Sequence, residues 1–153
     1  MTKFDKEPYK TVAICGDFDI AGVDVLKAKE IFEKHGFEVI FPTYQDFEKK
    51  QKNYAYYKYD NKINPGAFET ENVKKIAKAD VVFCCNKDGN VPNITLFELG
   101  YLSAKGCEVF FQEYPNEQFL LDIIMPHFCV TSPDELCKAM KNENEIWAQK
   151  QFS

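Results

Sequence analysis

Short apolar runs alternate along the chain with segments in which apolar residues recur at helical spacing. The apolar runs are rich in β-branched and aromatic residues, and they predict five buried strands at residues 11–15, 37–41, 80–86, 107–111 and 128–130. The segments between them predict five helices over residues 23–35, 67–79, 95–105, 116–124 and 133–149. Gly36 is placed to cap the first helix, and Ser132 followed by Pro133 is placed to begin the last.

The order of these elements predicts the fold class. Because the strands are continuously apolar, we expect a mostly parallel sheet with helices on both faces. Five strands predict a flavodoxin-like, doubly wound α/β domain. In such sheets ligands bind at the carboxyl ends of the strands, where the strand order reverses between the first and third strands. A functional site is therefore expected in the loops after Cys15 and Asn86.

One segment, residues 45–68, interrupts the alternation. The length of 153 residues predicts a single domain over residues 1–153, so this polar segment should belong to that domain. It carries four tyrosines within six residues, Tyr54, Tyr56, Tyr57 and Tyr59. Loops of this length are uncommon unless they form lids or binding surfaces. The segment is either a solvated excursion whose tyrosines pack locally or a lid whose rings stack on a planar ligand.

The charge of the chain restricts the class of partner. It has 24 acidic and 19 basic residues, a net charge of -5, and all of its basic residues are lysines. Without arginine it lacks the planar donor group that grips phosphates and guanine edges, so nucleic acid is not expected as a partner. The N-terminus is polar, and no apolar run approaches the ~20 residues of a membrane span. We expect a soluble, cytoplasmic protein with no membrane partner.

Six cysteines raise the question of disulfides or metal binding. Four of them, Cys15, Cys84, Cys85 and Cys107, lie in or beside apolar runs, where thiols behave as small hydrophobes; we expect them to be reduced and buried. No CxxC pair is present, and His35 and His127 are far in sequence from a second ligand, so no metal site is expected. The first loop also lacks a Ser/Thr/Gly-rich cradle for a flavin phosphate, and we predict no cofactor.

The helix after the third strand carries a candidate catalytic carboxylate, Glu98. We expect it in the first turn, where the helix dipole favours the ionised form. An ionised, partly desolvated carboxylate in a crevice can act as a nucleophile. The spacing Thr95-x-x-Glu98 also fits a capping box, in which the glutamate only satisfies a backbone N–H. Spacing alone favours the capping box, because such boxes are commoner than catalytic glutamates.

Three runs of sequence resemble the nucleoside 2-deoxyribosyltransferase superfamily, which includes the 2'-deoxynucleoside 5'-phosphate N-hydrolases. They are Ala79-Asp80-Val81-Val82-Phe83, Asn86-x-Asp88-Gly89 and Thr95-x-Phe97-Glu98-Leu99-Gly100-Tyr101. The turn Gly16-Asp17-Phe18 is similar to the family's glycine-and-aromatic loop, and the order of elements agrees from about residue 10 to residue 130.

The resemblance implies that Glu98 attacks the anomeric carbon of a (deoxy)nucleoside, giving a covalent glycosyl-enzyme that water or a second base resolves. Asp88 is the first choice to protonate the leaving base, with Asp17 and Asp19 as nearby acids. Asp88-Gly89 is also a common turn dipeptide, which alone could explain that aspartate. Where the family has a further aspartate this chain has Asn72, which can donate a hydrogen bond but cannot transfer a proton at pH 7.

The remaining predicted site residues bind substrate. They lie in the two switch-point loops and the adjoining helices: Gly16, Asp17, Phe18, Asp19, Asn72, Asn86, Gly89, Asn93, Thr95 and Tyr101. The two carboxylates of the first turn favour an uncharged nucleoside over a monophosphate. Two other functions stay open: a nucleoside or nucleotide sensor of the same fold, which would suit Asn72, and a glycohydrolase of a dinucleotide such as NAD.

Self-association is a further expectation. Residues 119–125 are more apolar than one sheet-facing stripe requires, and the resemblance implies homo-oligomers whose sites are completed by a neighbour. The alternative is a helix buried inside its own domain.

Overall fold

The computed structural model describes residues 7–43, 46, 65–125 and 128–151. Within these ranges the strands are β1 (Thr11–Gly16), β2 (Glu38–Phe41), β3 (Val81–Cys85) and β4 (Val109–Phe111). The α-helices are α1 (Phe18–Lys34), α2 (Pro65–Ile76), α3 (Asn93–Ala104) and α4 (Pro133–Gln151). A 3-10 turn spans Lys87–Gly89, and a π-helical turn spans Leu120–Ile124. Most of the predicted lid, including its four clustered tyrosines, lies outside the described residues, and its last four residues begin α2.

The four strands form one parallel sheet in the order β2-β1-β3-β4. This confirms the α/β class and puts the reversal of strand order between β1 and β3. The predicted fifth strand is not confirmed. Val130 makes a single parallel bridge to Phe111, and the flanking hydrogen bonds, Phe111 N–H to Cys129 O and Thr131 N–H to Phe111 O, also use only Phe111. Since β4 ends at Phe111, it offers that segment no further partner.

Helices cover the sheet in two pairs. On one face α1 packs against α4, and Phe32 of α1 contacts Phe83 of β3 edge-on with ring centroids 5.8 Å apart. On the other face α2 packs against α3. Residues Val12–Cys15 and all of β3 are at most 2% exposed, because both faces of these central strands are covered. The continuous apolar runs of β1 and β3 are therefore buried on both faces of the sheet, as predicted.

The helix ends show which local signals were correct. Gly36 has a φ of 90°, and the Phe37 N–H donates to the Phe32 carbonyl at 3.0 Å, which confirms the predicted C-terminal cap. Ser132 caps α4, since its hydroxyl accepts the Glu135 N–H at 3.2 Å. The predicted helix over residues 116–124 is mainly a π-helical turn, in which the Met125 N–H reaches the Leu120 carbonyl at 2.8 Å.

All six cysteines are free thiols. Cys15, Cys84, Cys85 and Cys137 are buried, whereas Cys107 is half-buried and Cys129 is exposed. Burial raises the pKa of the Cys137 thiol to about 11. Among the described residues, no helix combines the length and apolar character that crossing a membrane requires.

Asp80 joins the start of β3 to the start of β1. Its carboxylate accepts the N–H groups of Lys10 at 2.8 Å and Thr11 at 3.0 Å, and its own N–H donates to the Thr11 hydroxyl at 2.9 Å. These three bonds fix the amino ends of the two central strands relative to each other.

We expect Asp80→Ala to lower the free energy of unfolding by about 1 kcal/mol, because the Lys10 and Thr11 N–H groups lose their acceptor. Asp80→Asn keeps an oxygen acceptor and should lose less. Urea denaturation measures both, with Asp122→Ala as the control, since Asp122 is exposed and its hydrogen bond in the described part of the chain is to the Gln118 side chain. Equal stability of the Asp80→Ala and Asp122→Ala proteins would contradict this role.

Candidate functional site

The carboxyl ends of β1 and β3 meet closely at the switch point. Gly16 pairs in register with Cys85, and Gly16 has a φ of 145°. A Cβ atom at Gly16 would lie 2.7 Å from the Cys85 carbonyl oxygen, which is too close for any side chain. Gly16, predicted to contact substrate, is thus required for the approach of the two strand ends.

Asn86, also predicted to contact substrate, holds the loop after β3 in place. It is 1% exposed; its Nδ2 donates to the Glu113 carbonyl at 2.8 Å, and its Oδ1 accepts the Glu113 N–H at 2.9 Å. Both ends of the amide are used in joining this loop to the segment after β4. The side chain therefore has a structural role.

The next turn of this loop bends through two residues with positive φ, Asp88 at 59° and Gly89 at 78°. The Asp88 N–H donates to the Glu113 carboxylate, and the Asp88 carbonyl accepts from Asn116 Nδ2 at 2.9 Å. A Cβ atom at Gly89 would lie 2.6 Å from the Tyr114 carbonyl oxygen. Asp88 is exposed and makes no hydrogen bond to Glu98, so the described contacts do not join the predicted proton donor to the predicted nucleophile.

A cavity of about 340 Å³ opens beside this loop. Its described lining comes from the first turn of α1, the loop before α3 and the segment after β4: Ile20, Asn90, Val91, Pro92, Asn116 and Glu117. Sequence reasoning missed Asn116 and Glu117, because they reach the site through a distant contact, the 2.9 Å hydrogen bond from the Asn116 N–H to the Gly89 carbonyl. Glu98 is not in this lining.

The capping-box interpretation of Thr95 and Glu98 is wrong. The helix begins at Asn93, after an extended Pro92 whose carbonyl accepts the Leu96 N–H at 2.9 Å. Thr95 is therefore the third helical residue, and Glu98 is the sixth, in the second turn and not the first. The prediction erred because proline, with its φ already fixed, begins the helix two residues early.

Four buried polar side chains lie on the two helices that pack together on one face of the sheet. We call Glu69 and Asn72 of α2 with Thr95 and Glu98 of α3 the polar cluster; they are 5%, 4%, 0% and 0% exposed. Both helices run back from the carboxyl edge of the parallel sheet, so their first turns lie at that edge. Further along, the buried positions are apolar: Val73, Ile76, Leu99 and Leu102.

Two members of the polar cluster, Asn72 and Thr95, bury side-chain atoms that could form further hydrogen bonds. Asn72 Nδ2 and Thr95 Oγ1 have no hydrogen-bond partner among the residues that the structure describes. A buried donor without a partner costs about 1–3 kcal/mol, and such groups in folded proteins call for an explanation such as a ligand. Asn72 and Thr95, both predicted to bind substrate, thus have hydrogen-bonding capacity to offer.

Two buried thiols lie near the carboxyl ends of β1 and β3. Cys15 and Cys84 pair in register on β1 and β3. A hydrogen bond with Cys15, burial, and the charges of Cys15, Cys85 and Glu98 raise the pKa of the Cys84 thiol. Because the Cys84 thiol stays protonated, it is a poor nucleophile. Glu98 is therefore a stronger candidate for the nucleophile than Cys84.

Other predicted site residues lie away from the polar cluster. Phe18 is 4% exposed and packs against Phe41 with centroids 6.2 Å apart, so its ring belongs to the core. The Asp17 carbonyl begins α1 by accepting the Ile20 and Ala21 N–H groups, and the side chain of Asp19 lies outside what is described.

Two further predicted residues lie on α3. Asn93 is its exposed first residue. Tyr101 lies about 12 Å further along the helix axis, beneath Lys105 Nζ at 5.6 Å from its ring centroid. Tyr101 is thus remote from the carboxyl edge. In the described part of the chain, no group of three or more His, Cys, Asp or Glu side chains could hold a metal ion; His127 lies outside that part.

No protein-family model matches the sequence, and no curated protein matches it.

We expect Thr95→Val to leave the free energy of unfolding unchanged or to raise it by up to about 1 kcal/mol, because it replaces a buried hydroxyl with a methyl group of similar size. Thr11→Val is the matched control: it removes a hydroxyl that accepts the Asp80 N–H at 2.9 Å, so it should lower the stability. Urea denaturation compares the two. Equal losses in both variants would show that the Thr95 hydroxyl is satisfied.

Proposed function

We propose that the protein is an N-glycosidic enzyme that cleaves the bond between base and sugar of a (deoxy)nucleoside, by hydrolysis or transfer. The observation that carries the proposal is the full burial of Glu98 in the second turn of α3, the helix that leaves the carboxyl edge after β3, with Asn72 and Thr95 in the same polar cluster. Ligands of doubly wound sheets bind at this edge. The order β2-β1-β3-β4 is also that of a flavodoxin-like sheet over these four strands, which supports the same location.

In the proposed reaction a Glu98 carboxylate oxygen attacks the anomeric carbon through an oxocarbenium-like transition state. The base leaves, and a covalent glycosyl-enzyme remains until water or a second base displaces Glu98. Burial suits this role, since a desolvated carboxylate interacts strongly with developing positive charge. Asn72 Nδ2 and the Thr95 hydroxyl can donate hydrogen bonds to the substrate and so gain the partners they lack among the described residues.

The charge of the cavity beside the loop before α3 favours an uncharged nucleoside over a monophosphate. The Glu117 carboxylate lines this cavity and would repel a phosphate, and the other described polar groups of its lining are the neutral amides Asn90 and Asn116. The chain has no arginine with which to offset that repulsion.

A second candidate function is a nucleoside sensor that binds its ligand without cleaving it. Asn72 favours it, because an amide in the polar cluster can recognise a base but cannot transfer a proton. In this case the Asn72 and Thr95 side chains would bind the nucleoside without contributing to its cleavage.

We also propose that the chain forms a homo-oligomer. Phe119 and Ile123, on the turn after β4, are 54% and 65% exposed, which does not fit the alternative of a helix buried inside its own domain. That turn packs against α3, where Phe97 is 46% exposed. A second copy covering these side chains would remove their apolar surface from water.

Glu98→Gln should reduce base release by roughly 1,000-fold or more, because the amide cannot serve as the nucleophile. The measurement is chromatographic detection of free base from a panel of ribo- and deoxyribonucleosides. The matched control is Glu71→Gln, a change of the same kind at an exposed position of α2, which should keep full activity.

Two results would contradict the enzymatic proposal. Unchanged turnover in the Glu98→Gln protein would exclude the nucleophile. Calorimetric binding of a nucleoside that the wild-type protein then leaves intact would establish the sensor instead.

Ile123→Asp should shift the protein to a smaller species in size-exclusion chromatography with light scattering, because it buries a charge in the proposed contact. Val23→Asp is the control, since Val23 is 67% exposed on α1, away from the turn. A wild-type monomer would rule out self-association.

A further inference from the structure

We propose that Glu69 is the acid that protonates the leaving base, a role that Asn72 cannot fill. This inference rests on the proposed glycosidic function. It assigns the proton to a residue other than Asp88, the donor that the sequence predicts.

The position of Glu69 on α2 is the first support for this role. Glu69 lies three residues before Asn72, so both side chains are on one face of the helix. That face continues with Val73 and Ile76, both fully buried, whereas Glu71 and Lys74 are exposed. Glu69 is thus a glutamate on the core-facing side of an amphipathic helix, at 5% exposure. Glutamate is seldom buried in a protein core, and this burial makes Glu69 a candidate functional residue.

The packing of α2 against α3 is the second support for this role. Both helices start at the carboxyl edge of the sheet and contact each other. Glu69 is the fifth residue of α2, and Glu98 is the sixth residue of α3. The two residues therefore lie at similar positions along two helices that pack together. A retaining glycosidase requires two carboxyl groups flanking the scissile bond, one that attacks the anomeric carbon and one that transfers the proton, and this placement of Glu69 and Glu98 can supply such a pair.

The other acids near the switch point are less suitable. Asp88 is exposed, and its turn is held by Glu113 and Asn116. Asp17 begins α1, which covers the opposite face of the sheet from α2 and α3. Glu69 is the described acid that shares the polar cluster with Glu98.

The proposed step balances in protons and electrons. A Glu98 oxygen forms a bond to the anomeric carbon as the bond to the base nitrogen breaks, and that electron pair goes to the base. The carboxylic acid of Glu69 gives its proton to the base and becomes a carboxylate. In the second half Glu69 takes a proton from the attacking water, whose oxygen replaces Glu98 on the anomeric carbon. Asn72 Nδ2 is left to hold the base by a hydrogen bond.

This role predicts a specific dependence on the leaving base. Glu69→Gln keeps the size of the side chain but removes the transferable proton. Bases that leave poorly need the proton, so their kcat/KM should fall by about 100- to 10,000-fold. For nucleosides whose base leaves without protonation, such as an N7-methylated purine nucleoside, kcat/KM should fall by less than about tenfold.

The experiment measures kcat/KM for a series of nucleosides with graded leaving groups. The series comprises 2'-deoxyuridines bearing methyl, hydrogen, fluorine or nitro at C5, and purine nucleosides with and without an N7-methyl group. The proteins are wild type, Glu69→Gln, Glu71→Gln as the exposed control, and the double variant Glu69→Gln/Asn72→Asp. We expect kcat/KM to depend more steeply on leaving-group acidity in Glu69→Gln than in the other proteins. The double variant should regain part of the kcat/KM for poor leaving groups.

The outcomes separate this inference from the function on which it rests. If the wild-type protein releases no base from any nucleoside, the glycosidic function fails and the role of Glu69 fails with it. If the wild-type protein cleaves nucleosides and Glu98→Gln does not, the function stands. In that case an equal loss for all leaving groups in Glu69→Gln, or no loss, overturns the role of Glu69 alone.

Discussion

The structure depends on the close approach of β1 and β3 at their carboxyl ends. Gly16 faces Cys85 across this junction, and no side chain could be accommodated at Gly16. From here the chain turns into α1 on one face of the sheet, whereas the loop after β3 leads to α3 on the other. The divergence of these two connections creates a crevice at the sheet edge, and four of the six buried polar side chains in the described part of the chain lie on α2 and α3.

Much of the fold was predictable, because it is encoded by short-range patterns. The continuous apolar runs correctly predicted the four strands of the parallel sheet, and Gly36 and Ser132 correctly predicted helix ends. The fifth strand could not be decided from its own residues, since pairing depends on the length of β4, which ends at Phe111. The start of α3 was misjudged because Thr95-x-x-Glu98 matches a capping box, while Pro92 begins the helix earlier.

The candidate site was predictable only where residues close together in the sequence determine the position of a side chain. Glu98 lies on the first α-helix after β3, so its place on a helix that leaves the switch point could be inferred. Glu69 gave no such signal, because a glutamate on a helix normally faces water and only the packing of α2 against α3 shows that this one does not. Asn86 shows the opposite case: its motif suggested ligand contact, but both ends of its amide are bound to the distant Glu113.

The bonds to Glu113 have a mechanical consequence for the cavity. Asn86 holds the Glu113 backbone, the Asp88 N–H holds its carboxylate, and Asn116 holds the Asp88 carbonyl. The loop before α3 and the segment after β4, which form two walls of the cavity, are therefore cross-linked into one stiff unit. Ile20, the third wall, lies on α1, and α1 is joined to the same segment by the hydrogen bond from Gln112 Nε2 to the Asp24 carboxylate at 3.0 Å. The described walls of the cavity are thus tied to one another, and ligands should be selected by shape against walls that move little relative to each other.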